Sequence, residues 1–366
     1  MNLAYLLTRE SAVNPKKIVC PDCSDPQEIA RVDRRDFIRT ASAAAAAAVS
    51  GTLFAAPRVS AAPTPKSTAE TAVKALYETL TDAQKKEICF DWDHKDARGL
   101  LRTHVSNNWH ITKPTIDSNF FTKDQKDLAF QVYKGIFNPD WHERLMKQLK
   151  DDTNGRPWGA DQNIAIFGTP GTGKFELVMT GRHLTCRADG DSESHVALGG
   201  PIFHGHAASA FNEKVGHPGN VFWHQALEAN KVYKMLDSKQ QEKALVKRAP
   251  AEGAVGFREK DAKFPGIACS EFSKDQMAGL EKVLMSLLAP YRKEDQEEVQ
   301  ACLKKQGGLE KCNLAFYEEG DLGDDKEWDN WRLEGPSFVW YFRGTPHVHI
   351  WINVADDASV PLNSKF

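Results

Sequence analysis

The hydrophobic period changes at Gln162, and that change limits what the chain can fold into. Before it, apolar residues recur at helical spacing. Val73, Leu76, Tyr77 and Leu80 fall on one face. Leu128, Ala129, Val132, Tyr133, Ile136 and Phe137 keep the 3.6-residue repeat, and Trp141, Leu145, Met146 and Leu149 continue it. From Gln162 the chain turns to short apolar or alternating runs, NIAIFG, KFELVMT, HLTCRAD and HVALGGPIF, separated by Gly, Pro and Asp clusters. These read as strands joined by turns. Helices return around 221–237, 239–247 and 274–306. The end is strand-like again, in NLAFYEE, SFVWYFRG and HVHIWINV. Helices and strands are blocked rather than strictly alternating, so the expected fold is α+β: a helical N-terminal block packed on a mainly antiparallel sheet.

Four pairs have capping-box spacing: Thr81 with Gln84, Thr122 with Gln125, Ser238 with Gln241 and Ser273 with Gln276. In such a box a hydroxyl and an amide satisfy free N–H groups at a helix start. The stretches FTKDQ (121–125) and FSKDQ (272–276) are alike, which hints at an internal repeat, although a match of five residues is also what chance can produce.

The first 61 residues read as an address. Arg34 and Arg35 precede Phe37, Ile38 and Arg39, and an Ala-rich run extends from Ala41 to about Ala56. Val59, Ser60 and Ala61 then offer the small residues of a cleavage site. This pattern resembles a twin-arginine export signal. The run is too short and too weakly apolar for a membrane span. The expected partner is therefore the twin-arginine export machinery, the destination periplasmic or secreted, with no stable membrane anchor after cleavage. Residues 62–70, Pro- and Thr-rich, read as a flexible leader, and 71–366 as one domain. Cys20 and Cys23 form a lone CxxC within the removed part.

Apolar residues make up 41% of the chain and charged residues 27%, which suits a soluble globular protein. The net charge of −3 supplies no basic field, so no nucleic-acid partner is expected. Five cysteines follow residue 61: Cys89, Cys186, Cys269, Cys302 and Cys312. An oxidising destination would permit disulfides, and Cys302 with Cys312 is the favoured pair. Cys186 reads as a buried structural thiol.

Residues 168–175, GTPGTGKF, nearly match a phosphate-binding loop. Phe175 stands where the magnesium-binding hydroxyl should be, and a strand-like run follows where a helix is required. A Gly-rich hairpin turn is the expectation.

Histidine is the unusual residue type. The chain has 12, of which six fall between His183 and His224. His347 and His349 occupy one face of a strand with Trp351, with Val348 and Ile350 on the other. His204 and His206 have the same spacing around Gly205. Two imidazoles so spaced can chelate one metal ion. The candidate metal ligands are His183, His204, His206, His347 and His349. Arg182 and Arg343 are the candidate catalytic residues, since their guanidinium forks could hold an anionic group. His195, His217 and His224 read as structural residues or as supports behind the ligands, and His94, His104, His110 and His142 as core-edge residues.

Taken in order, these segments resemble the bacterial exported proteins of the domain of unknown function 3500 family. LYETLTDAQKKEICFDWD (76–93) looks like the family's opening helix, and FGTPGTGKFELVMTGRHLT (167–185) like its central strand pair. GGPIFHGHA (199–207) looks like its Pro-Phe-Gly segment, and GTPHVHIW (344–351) like its closing strand. The family often reads Gly-His-His where this chain has Gly181-Arg182-His183, which puts the first of that pair in question as a ligand here. The resemblance implies a shared fold unit and no particular reaction. Two functions fit the residues. One is a metal-dependent enzyme, for instance an oxidoreductase, using copper, iron or zinc, or haem. The other is a non-catalytic protein whose His-lined groove binds a small-molecule ligand or a partner.

Overall fold

One eleven-stranded sheet organises the structure, a computed structural model that describes residues 62–206, 221–258, 262–323 and 327–364. The twin-arginine segment, Cys20, Cys23 and His217 lie outside these residues. The helices are α1 Thr68–Thr79, α2 Asp82–Ile88, α3 Lys123–Ile136, α4 His142–Asp152, α5 Trp223–Met235, α6 Ser238–Ala244, α7 Lys274–Leu288 and α8 Lys293–Lys305. The strands are β1 Cys89–Phe90, β2 Lys95–Asp96, β3 Gly99–Leu100, β4 Asn163–Gly168, β5 Phe175–Gly181, β6 Leu184–Ala188, β7 Ile202–His206, β8 Leu245–Val246, β9 Ile267–Ala268, β10 Asn313–Tyr317, β11 Asn330–Gly335, β12 Phe338–Arg343 and β13 Val348–Val354.

The sheet order is β1-β4-β5-β6-β7-β13-β12-β11-β10-β8, with β9 on β10 and a separate β2–β3 hairpin. Among the described residues, only the short end strands β1 and β8 pair in parallel. The fold is thus α+β with a mainly antiparallel sheet, as the period change predicts.

That order is a palindrome of two equivalent halves. Each half runs helix, short helix, short parallel end strand, two helices, then a four-strand meander. The likeness extends to side chains. Gln84 and Gln125 cap α2 and α3 and hydrogen-bond each other. Gln240 and Gln276 do the same for α6 and α7. Gln125 also reaches the Thr79 carbonyl ending α1, and Gln276 the Met235 carbonyl ending α5. The paired FTKDQ and FSKDQ stretches are the corresponding helix starts of an internal duplication. The two meanders join at their last strands, β7 and β13.

Strand alternation sorts the sheet into two faces. The helices cover one face, where Ile202 of β7 and Val348, Ile350 and Ile352 of β13 enter the main core. Phe203 and Trp351 point the other way, into a second core with Tyr341 and Val255. Among the described residues, no helix is long and apolar enough to cross a membrane.

The structure corrects several local expectations. Residues 62–70 are not all leader: α1 starts at Thr68, and Ala69 and Glu70 are fully buried. Glu70 makes a bidentate pair with Arg292, 2.7 Å on each arm, and that pairing fixes the segment. The expected strand at 195–203 begins only at Ile202. Before it, Leu198, Gly199 and Gly200 have positive φ, which breaks extended pairing. The 274–306 helix is two helices, since Pro290 lacks the N–H needed to continue the first. The third capping box is Asp237 with Gln240, one residue earlier than expected. All five described cysteines are free thiols. Cys312 lies beside Cys269, whose N–H donates to its carbonyl, rather than bonding Cys302. Residues 169–174 form a hairpin turn between β4 and β5, as predicted.

Candidate functional site

Arg182 and His183 are the two central residues of the tight turn between β5 and β6, where Gly181 pairs with Leu184. His183 has φ 54°, in the left-handed region. A non-glycine residue there is costly and needs a firm hold. The hold comes from Asn107, whose carbonyl accepts from the His183 N–H at 3.0 Å, and from Asn108 Oδ1 at 3.2 Å. The result aims the His183 ring at the start of β13.

There it meets His347 and His349. His183 Nε2 lies 3.1 Å from His347 Nε2 and 3.1 Å from His349 Nε2. All three ligand atoms fall within 4.8 Å of one another, and all three residues are buried. Nitrogens at ~2.0–2.1 Å from one tetrahedral ion lie about 3.3–3.4 Å apart, so the spacing suits three ligands of a single metal.

Carboxylates stand behind two of the rings. Asp152 Oδ2, at the end of α4, is 3.2 Å from His183 Nδ1. Gln148 Nε2 donates to Asp152 Oδ2 and to the His183 carbonyl, each at 3.4 Å. Glu252 hydrogen-bonds His349 Nδ1. Arg343 pairs with the other oxygen of Glu252, and Trp351 Nε1 donates to Glu252 at 3.2 Å. A carboxylate at Nδ1 accepts a hydrogen bond from the N–H there, which fixes the proton on that nitrogen and leaves the Nε2 lone pair free. Two bare lone pairs 3.1 Å apart repel unless a cation or a proton sits between them. Burial, then the charges of Arg343 and its neighbours, push His349 far below the usual imidazole range. Burial, then the other two imidazoles, do the same to His347. Neutral imidazole is the form that binds metal.

Gly205 makes room for the cluster. It lies opposite His349 across the β7–β13 seam. A Cβ there would sit 2.5 Å from the Val348 carbonyl, and 3.1 and 3.2 Å from the ring carbons of His349 and His183.

Three of the five expected ligands therefore converge, and two do not. His204 pairs with Ile350 and His206 with Val348, so both point to the helix face. His204 Nδ1 meets the Tyr291 hydroxyl at 3.1 Å against the Phe222 ring, and burial lowers its pKa to about 3. His206 Nε2 is 3.3 Å from Asp151. The two HxH motifs are one residue out of register, which puts them on opposite faces. Arg343 is held by Glu252 and lies 2.7 Å from His349 Nδ1, so its guanidinium is engaged within the cluster. Arg182 stays beside the cluster.

Other described histidines lie away from the cluster. His195 pairs with Asp356 at the surface, His142 bonds the Lys134 carbonyl, and His224 packs against Trp141. Asp152 and Glu252 were missed by sequence reasoning. They lie 31 and 97 residues from the rings they support, and no spacing links them.

The duplicated fold does not itself require these imidazoles. The turn equivalent to Gly181-Arg182-His183-Leu184 is Gly335-Pro336-Ser337-Phe338, between β11 and β12, and it carries Ser337 instead. The cluster draws one ligand from the first half and two from the second, and is built once.

No curated protein and no solved structure matches the chain. The profile of a family described as a protein of unknown function, DUF3500, matches residues 62–354. That match spans well over half of the chain, and the chain belongs to the DUF3500 family.

Proposed function

We propose that the chain is an exported metal protein, and that His183, His347 and His349 form a mononuclear centre serving a metal-dependent enzyme. The observation that carries this reading is the meeting of three Nε2 atoms, with carboxylates behind two of the rings. Carboxylate–histidine pairs of this kind orient metal-bound imidazoles and raise their basicity. Three protein ligands leave a fourth position for water or substrate, the pattern of catalytic rather than structural zinc sites. An all-imidazole set suits zinc or copper, whereas non-haem iron oxygenases favour two His and a carboxylate. Haem takes axial ligands on the two faces of a flat ring, and three imidazoles meeting at one point leave no plane for it. A bound ion would supply Lewis acidity or, if copper, electron transfer.

The test is elemental analysis of protein purified from its native host, followed by titration of stripped protein with zinc and copper. One ion per chain, lost in His183→Ala, supports the centre. Protein that arrives metal-free, and gains no thermal stability from either ion, overturns it. The near-complete burial of the rings favours a second reading, a non-catalytic metal or ligand binder. Export is tested separately: replacing Arg34 and Arg35 with Lys should strand unprocessed protein in the cytoplasm. Normal processing of that variant rules the signal out.

A further inference from the structure

Arg182 is the charged side chain that the site leaves uncommitted. Its backbone N–H donates to Asp161 at 2.6 Å, which anchors the turn. Its side chain makes no hydrogen bond or ion pair among the described residues, and its Nε is buried without a partner. The other buried or half-buried arginines behave differently. Arg102 and Arg187 share Glu176, Arg292 holds Glu70, Arg332 holds Glu334 and Arg343 holds Glu252. Arg182 follows Gly181 and precedes a metal-ligand candidate in a two-residue turn, so it cannot be far from the imidazoles. An uncompensated cation held beside three imidazoles that are themselves suited to a second cation is unfavourable unless an anion joins them.

We propose that the fourth position of the centre takes a carboxylate, bound to the metal through one oxygen and to the Arg182 guanidinium through the other. This rests on the metal reading above. The planar guanidinium fork matches a planar carboxylate. A phosphate would call for further cations, and Arg343, which also adjoins the cluster, is neutralised by Glu252. Arg182 is only half-buried, so part of its side chain meets solvent and marks the side from which a small anion would arrive.

The experiment uses the full processed chain loaded with cobalt(II), whose visible spectrum reports its ligands. Acetate should shift the spectrum saturably, and the neutral isostere acetamide should not. Arg182→Gln should weaken acetate by about tenfold or more, the loss of one charge-assisted pair, with no loss of cobalt affinity. Cobalt uptake with equal responses to acetate and acetamide overturns the carboxylate proposal alone. So does an Arg182→Gln protein that binds acetate like wild type, or inorganic phosphate binding more tightly than acetate. Failure to take up cobalt overturns the metal centre, and this proposal with it. The acetate–acetamide comparison on the wild-type protein decides the matter even where the variant does not fold.

Discussion

Across the seam of the two half-sheets, Gly205 stands directly opposite His349. This pairing is what separates the two HxH motifs. Had His204 or His206 stood opposite His349, four imidazoles would crowd one face of the seam. Instead the neighbour is a residue with no side chain, and the His183 and His349 rings occupy the space its Cβ would need.

Replacing Gly205 with Ala should therefore damage the site. The new methyl must displace the Val348 carbonyl as well as the two rings. Overpacking of this kind costs about 1–3 kcal/mol. The expected result is a lower melting temperature together with weaker metal binding. Retention of wild-type metal affinity would show that the rings do not depend on this space.

His204 gives the complementary test. Its ring lies on the helix face against Phe222 and Tyr291. His204→Gln should cost stability through lost packing but leave metal stoichiometry intact, whereas His349→Gln should abolish the centre. Loss of metal in the His204 variant would mean that the helix-face histidine takes part after all.

How much of this could be read from the sequence depends on the range of the interaction involved. Period and capping residues are local, so the helices, the main strands and three of the four boxes could be read directly. The faces of β13 followed from alternation alone. The register between β7 and β13 did not, since it arises from pairing between strands about 150 residues apart, and that register decides which HxH motif joins His183. The ion pair of Arg343 was hidden for a similar reason: its partner, Glu252, lies 91 residues away in a loop without periodicity. One five-residue stretch marks the repeat most plainly in the sequence, but the repeat survives in the main strand order because strand pairing tolerates side-chain change.

The Glu70–Arg292 pair tests the placement of the first helix. Both side chains are buried, and Arg292 also contacts Asp295 at 3.1 Å. Removing one partner of a buried pair leaves an uncompensated charge, which costs about 3–5 kcal/mol. Glu70→Ala should show that loss in urea unfolding. A change within experimental error would mean that α1 contributes little to the fold and belongs with the leader after all.

Buried carboxyls between β6 and α8 should make stability fall as pH rises. Burial, then the charge of Glu176, raises Asp189 from its ordinary value of 3.8 to about 8. Burial, then Asp189, pushes Glu298 well above its usual range. Asp295, Glu70 and Asp191 add further negative charge, while Arg292 opposes it at Asp295. Between pH 4 and 8 the folded state thus binds more protons than the unfolded state. Stability is then highest near pH 4 for these groups and falls towards pH 8. The slope is at most about 1.4 kcal/mol per pH unit for each carboxyl. Asp189→Asn with Glu298→Gln should flatten that decline, as measured by urea unfolding across the range. An unchanged slope would place the pH dependence elsewhere.

The two carboxylates behind the imidazoles provide the sharpest distinction between a metal centre and a buried histidine cluster. In a metal centre, Asp152 and Glu252 hold the Nδ1 protons and keep both Nε2 lone pairs pointed at the ion. Asp152→Asn and Glu252→Gln keep the shape but lose the charge, and the amide can present N–H where the ring needs an acceptor. Changes of this kind cost about 10–100-fold in metal affinity. In a metal-free cluster, one Nε2 must carry a proton towards its neighbours, and the same substitutions would instead shift which nitrogen is protonated. The two cases separate in one pair of measurements, zinc affinity by competition with a chelator and the nitrogen NMR shifts of the imidazoles. Weakened zinc binding, with zinc-dependent Nε2 shifts in the wild type, is the expected result. Unchanged zinc affinity in both variants would remove these carboxylates from any metal site.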